Sequence, residues 1–220
     1  MLLSVLNYVG MAVFAASGAL IGVRKRLDAF GIWTLAVLTG LGGGVARDLL
    51  LGITPPTTFK GWENLTVTSV AAFVVFFFHP QFGSLRRTVD VLDAFGVALF
   101  ASTGALLAVH ADTSPLAAAL IGVTTGLGGG ILRDVLVNEV PLLLRGGELV
   151  AVPALVGAGL TVAVDQAGGG EVWALVVGTS VAFFFRVIVM WRGWTAPYAP
   201  DNAWAGIAGL ARRRRDRPTP

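Results

Sequence analysis

Long apolar stretches, each about as long as a membrane-spanning helix, alternate along this chain with short polar breaks. A spanning helix needs about 20 largely apolar residues. Seven stretches meet that need, at roughly 3–22, 29–53, 63–79, 88–109, 115–138, 148–165 and 172–191. The breaks carry the expected punctuation: Arg24-Lys25-Arg26, Thr54-Pro55-Pro56-Thr57, His79-Pro80, Ala111-Asp112-Thr113, Arg145-Gly146-Gly147 and Gly168-Gly169-Gly170. Trp33, Trp62, Trp173, Trp191 and Trp194 fall near the ends of these stretches, where indole favours the membrane interface. The pattern predicts an all-α membrane protein of seven transmembrane helices.

The pattern also occurs twice. Phe14-Ala15-Ala16-Ser17-Gly18-Ala19-Leu20 returns as Phe100-Ala101-Ser102-Thr103-Gly104-Ala105-Leu106. Thr39-Gly40-Leu41-Gly42-Gly43-Gly44-Val45-Ala46-Arg47-Asp48 returns as Thr125-Gly126-Leu127-Gly128-Gly129-Gly130-Ile131-Leu132-Arg133-Asp134. The offset of 86 residues holds without a gap from Leu6/Leu92 to Pro55/Pro141. Each copy contains three spans, so the second copy enters the membrane the other way up. Two inverted three-helix repeats related by a pseudo-two-fold axis in the membrane plane are expected, with a solute site where they meet. The predicted division is 1–86 for the first repeat, 87–171 for the second, 172–192 for a seventh helix outside the repeat, and 193–220 for a basic tail.

Basic residues set the orientation. Loops after the odd-numbered spans hold Arg24, Lys25, Arg26, Arg86, Arg87 and Arg145, and Arg192 and the arginine tail follow span seven. The opposite side offers only Lys60 among its loops. The positive-inside rule then places the odd-numbered loops and the C-terminus in the cytoplasm and the N-terminus outside.

Candidate chemistry sits where glycine and charge interrupt the apolar pattern. Three successive glycines cost roughly 1 kcal/mol each relative to alanine in a soluble helix. Gly42, Gly43, Gly44, Gly128, Gly129 and Gly130 are therefore expected to kink or break helices 2 and 5 near mid-membrane and to flank a pore. The competing role is close small-xxx-small packing through Gly18/Gly22, Gly40/Gly44 and Gly126/Gly130; the Arg-Asp pair after each run favours the break. Arg47 and Asp48 are adjacent and lie about 100° apart on a helix. The expectation is that they pair across the pseudo-two-fold, Arg47 with Asp134 and Arg133 with Asp48, as a gating or charge network. The alternative is that the arginines reach backbone carbonyls. Ser17 and Thr103 are candidates to line a wet path, or else bond to their own helices. Asp93, whose counterpart is Asn7, is a pore candidate because an unpaired carboxylate in a membrane is expensive. Arg186 is expected to snorkel to the cytoplasmic interface.

Composition narrows the classes. The chain is 55% hydrophobic and 13% charged, with mean hydropathy +0.77, against about 25% charge in soluble domains. No cysteine is present, so there is no disulfide or thiol chemistry. The first basic residue, Arg24, follows the first apolar stretch, which reads as a retained helix and not as a signal peptide. The net charge of +3 owes much to Arg212-Arg213-Arg214-Arg215-Asp216-Arg217. In a membrane protein that tail is a cytoplasmic anchor beside anionic lipid, not a nucleic-acid arm. The two histidines, His79 and His110, lie near span ends, and no metal cluster, phosphate loop or nucleophile–base pair is visible. No enzyme and no cofactor are expected.

At the duplicated Gly-Gly-Gly-x-x-Arg-Asp (42–48 and 128–134) and the Ser/Thr-Gly-Ala segments (17–19 and 103–105), the chain resembles the prokaryotic branch of the trimeric intracellular cation channels. The same bacterial family also carries the label of a glycine transporter. The resemblance covers roughly residues 3–192. It implies a seven-helix protomer in a homotrimer, each protomer carrying its own path for potassium or sodium. It also implies helices 2 and 5 kinked at Gly42–Gly44 and Gly128–Gly130, with Arg47, Asp48, Arg133 and Asp134 beside them. Animal members bind a phosphoinositide near these motifs, so a bound lipid phosphate on Arg47 or Arg133 is a further expectation. Three classes stay open: a cation channel, for which the resemblance implies potassium permeability; a carrier for a small zwitterion such as glycine; and a lipid-regulated structural protein without transport.

Overall fold

A computed structural model describes residues 2–82, 85–144 and 149–195. Arg145, the arginine tail and the side chain of Arg86, all invoked for orientation, lie outside the described residues. The described chain forms seven α-helices and no strand. They are α1 (Leu2–Arg24), α2 (Ala29–Leu50), α3 (Glu63–Phe78), α4 (Leu85–His110), α5 (Pro115–Leu136), α6 (Ala151–Gln166) and α7 (Gly170–Arg192). Five are long and apolar enough to cross a membrane on their own. The other two, α3 and α6, have 16 residues each and occupy equivalent places in the two copies.

Local signals recur at the same offset. Asp28 caps α2 by accepting from the Gly31 amide at 2.7 Å, and Ser114 caps α5 by accepting from the Ala117 amide at 3.4 Å. Such caps satisfy amides that have no partner within the helix. Just after α2 and α5 the chain turns through Gly52 and Asn138, both at positive φ. Glycine and asparagine tolerate that left-handed turn best.

Packing follows the repeat. Helix α1 lies on α2 and α3 as α4 lies on α5 and α6. The copies meet through α1 against α4 and α2 against α5, while α7 covers α4 and α6. Phe14 and Phe100 are equivalent residues. They touch each other with centroids 5.3 Å apart, and both are buried. Each ring lies over the other copy's glycine, Phe14 on Gly96 and Phe100 on Gly10. Trp62, Trp173 and Trp191 are exposed near helix ends.

The glycine runs do not break their helices. Both α2 and α5 are helical without interruption from end to end, which corrects the expectation of unwound backbone. What the glycines provide is proximity. A methyl on Gly43 would collide with the Thr125 carbonyl oxygen, and one on Gly129 with the Thr39 carbonyl oxygen. Gly128 lies against Gly43, whose Cα is 3.3 Å from the position a Cβ would take. Reciprocal contacts between equivalent residues are what a two-fold relation requires. The pairing of 43 with 125 and of 39 with 129 means that α2 and α5 run in opposite directions. Packing of small residues lets two backbones touch without exposing their polar groups to lipid.

Gly43→Ala should therefore force α2 and α5 apart and cost about 2 kcal/mol. Gly159→Ala, at a helical glycine with nothing within 4 Å of a new Cβ, should be neutral. Thermal unfolding of both variants in one detergent checks this; equal melting temperatures would contradict the crossing.

Candidate functional site: two Arg–Asp clusters flanking a glycine crossing

Each Arg-Asp pair stands in the last turn of its helix, one turn beyond the crossing. Because α2 and α5 run oppositely, the two pairs lie on opposite sides of it. Four residues of helix carry each pair about 6 Å along its axis from the contact. The expected pairing of Arg47 with Asp134 and of Arg133 with Asp48 across the pseudo-two-fold is thereby corrected.

Each arginine instead pairs with its own neighbour. Arg47 donates from Nε at 2.9 Å and from Nη2 at 2.7 Å to Asp48 Oδ1. Arg133 does the same to Asp134 Oδ1 at 3.0 and 2.9 Å. Adjacent residues diverge at Cβ, but the long arginine side chain curls back far enough to close the gap. The second aspartate oxygen holds the segment that folds over the helix end. Asp48 Oδ2 accepts from the Thr57 amide at 2.7 Å and from the Thr57 hydroxyl. Asp134 Oδ2 accepts from the Leu142 amide at 2.9 Å. All four charged residues are buried. Burying charge is costly unless it is paired and hydrogen-bonded, and here each carboxylate is occupied on both oxygens.

The two clusters then diverge. Arg133 Nη1 donates to Asp93 Oδ1 at 2.7 Å and to Ser17 Oγ at 2.5 Å. Ser17 in turn donates to Asp93 Oδ1 at 2.6 Å. Asp93 is paired, not isolated. Arg186 lines the same small cavity of about 30 Å³ and donates to the Leu149 carbonyl at 3.1 Å. It is only 5% exposed, so the expected snorkelling is corrected: Arg186 turns inward. Gly130 also faces this cavity. The assembly of Ser17, Asp93, Arg133, Asp134 and Arg186 draws on α1, α4, α5 and α7 and is closed.

The first-copy cluster is open. Arg47, Asp48 and Thr57 line a cavity of about 380 Å³ together with Asn7, Leu107 and His110. Asn7 replaces the carboxylate that Asp93 supplies. Thr103, the equivalent of Ser17, is buried and donates to the Leu99 carbonyl of its own helix at 2.9 Å. Of the candidates, then, the structure joins Ser17 and Asp93 to Arg133 and Asp134, and brings Gly42 and Gly43 against Gly128 and Gly129, while Gly44 faces Thr58 and Gly130 faces the Arg133 cavity. It leaves Thr103 apart from both clusters. Thr57 and Leu142 were missed, and Arg186 was noticed only as a residue that would snorkel. The reciprocity of Thr57 and Leu142 lies in loops past the repeat's gapless part, where no pattern marks them. For Arg186 the signal was present, since a charge five residues inside a spanning helix is expensive wherever it points outward.

The family model described as glycine transporter matches residues 4–80 and 90–166, once for each copy. The chain belongs to this family. A membrane protein of Deinococcus radiodurans, designated UPF0126, is 42% identical over 155 residues, covering 70% of this chain and 72% of its own length. The inner membrane protein YadS of Escherichia coli K12 is 40% identical over 158 residues, 71% of this chain and 76% of the relative. Among solved structures, the TRIC trimeric intracellular cation channel orthologue from Rhodobacter sphaeroides is similar with a TM-score of 0.83 and 37% identity, covering 87% of this chain and 98% of that one. These relatives and neighbours are membrane proteins and channels, and the chain is an all-α membrane protein, not an enzyme.

Asp48→Asn keeps the shape but leaves the Arg47 charge buried without a counter-ion, and should cost about 3 kcal/mol. The double variant Arg47→Met/Asp48→Asn removes that uncompensated charge and should recover much of the loss. Melting temperatures of wild type and both variants check the pair; a double variant as unstable as the single one would contradict it.

Proposed function

We propose that this protein is a monovalent-cation channel, permeable to potassium and sodium, with a hydrated path in each protomer of a homotrimer. The observation that carries the proposal is the asymmetry of the two clusters within a fold shared with a TRIC cation channel over 98% of that chain. A cavity of about 380 Å³ approaches the α2–α5 crossing on the Arg47 side. On the Arg133 side, the Arg133–Asp93–Ser17 network closes the approach. Conduction requires that network to part and the glycine crossing to shift, so the gate lies there. Parting the network frees the Asp93 carboxylate from Arg133 to face a permeating cation. By the positive-inside rule the closed Arg133 side is cytoplasmic and the Arg47 cavity faces outward, with the N-terminus outside and the C-terminus in the cytoplasm of a prokaryotic cell. No carbonyl-filter sequence such as Thr-Val-Gly-Tyr-Gly occurs, in keeping with weak discrimination between potassium and sodium. Lipid contacts the exposed apolar faces, and a lipid phosphate is a candidate ligand of the basic residues.

One observation favours a second reading, a carrier for a small zwitterion such as glycine. A cavity open on one side of pseudo-symmetric halves and closed on the other is also the geometry of one state in alternating access, and the family model is described as a glycine transporter.

Single-channel recording in planar bilayers, with potassium on both sides, separates the two. Discrete currents are expected from the wild type. Gly43→Leu/Gly129→Leu should abolish them, and Asp93→Asn should raise the fraction of time open by loosening the Arg133 network. Silence from folded trimer, together with saturable uptake of glycine into liposomes, would replace the channel by the carrier.

A further inference from the structure

Arg47 and Arg133 are equivalent residues with unequal surroundings. Both spend Nε and Nη2 on the neighbouring aspartate. On Arg133 the remaining edge, Nη1, meets the Asp93 carboxylate and the Ser17 hydroxyl. On Arg47 the corresponding Nη1 makes no hydrogen bond among the described residues, although Arg47 is only 6% exposed. Two sequence differences account for this. Asn7 stands where Asp93 stands in the other copy, 40 residues before its arginine in each case. Thr103 stands where Ser17 stands, and its hydroxyl is spent on Leu99. Asn7 itself has no hydrogen-bond partner among the described residues, and lines the same cavity of about 380 Å³ as Arg47.

We propose that the Nη1 edge of Arg47 is a binding site for the carboxylate of a small solute, which there takes the part that Asp93 plays on Arg133. The second copy is the template: a carboxylate oxygen 2.7 Å from Nη1 completes the same guanidinium in the same fold. A guanidinium edge that borders a cavity without a protein acceptor, on an otherwise buried arginine, is the kind of group that gains from an ionised partner. The cavity is of the size that holds small ligands, and the Asn7 amide can donate to the second carboxylate oxygen. Charge selects the class. Asp48 already neutralises Arg47, so a monoanion is tolerated where a phosphate dianion would be repelled by the Asp48 carboxylate. Binding would close the Arg47 side as Asp93 closes the other, making the open half a ligand-dependent version of the closed one.

The test uses the purified full-length protein in detergent micelles, with acetate as probe and chloride holding the ionic strength constant. Saturation-transfer NMR on the acetate methyl group reads binding directly, without any assay of transport, so its outcome is separate from the channel reading. The wild type should give a saturable signal that protein-free micelles lack. Asn7→Asp, which keeps Arg47 and supplies an internal carboxylate, should weaken acetate binding at least about tenfold. Arg47→Gln should abolish it. Propionate should displace acetate better than phosphate does. No saturable signal from folded wild type, a signal that survives in Asn7→Asp, or stronger displacement by phosphate would each overturn the assignment.

Discussion

The contact of two helix backbones at Gly43 and Gly129 is the constraint from which the rest of this molecule follows. Each glycine lies where a side chain would strike the other helix's carbonyl at Thr125 or Thr39. The approach lets α2 and α5 cross in the middle of the protein with no side chain between them. It brings α1 against α4 and so places Phe14 on Phe100. It also fixes where the charges go. Helices running in opposite directions through one point carry equivalent residues to opposite sides, so the duplicated Arg-Asp becomes two clusters and not one.

Each cluster solves the problem of charge in an apolar setting in the same way. The aspartate takes the arginine on one oxygen and the returning loop on the other. The pair is thus a structural tie before it is anything else: it joins a helix end to the segment that covers it. What differs is the arginine's third edge. In the second copy it is engaged by Asp93 and Ser17, with Arg186 in the same small cavity. In the first copy it borders a larger cavity beside Asn7. A duplicated unit has become structurally unequal through changes at a few equivalent positions, and the inequality leaves a larger cavity beside one cluster and a smaller one beside the other.

Several features were legible in the chain because they depend on spacing alone. Apolar stretches of spanning length announced seven helices, and those helices formed, with ends shifted by a few residues. The caps at Asp28 and Ser114 and the turns at Gly52 and Asn138 went unread in the sequence, although each pair repeats at the same offset of 86 residues. The glycine runs were legible as important but not as to their role. A triple glycine permits an unwound break and close packing alike; α2 and α5 stay helical throughout, and at Gly43 and Gly129 the neighbouring helix fills the space where side chains would be. Arg186 looked like a residue that could reach the interface, yet the closed cluster offered it the Leu149 carbonyl and two carboxylates nearby.

The sequence by itself determined residence in the membrane, the helix count and the two-fold repetition, because hydropathy and self-similarity are properties of the chain read one position after another. It also drew attention to the glycine triplets and the Arg-Asp pairs, since both are conspicuous against an apolar background. Only the tertiary structure decided who pairs with whom. Ser17 reaches Arg133 across 116 residues and Asp93 reaches it across 40, while Thr103 turns back to its own helix. Those choices depend on side-chain reach and on distances between helices, and neither exists until α1, α2, α4 and α5 have packed.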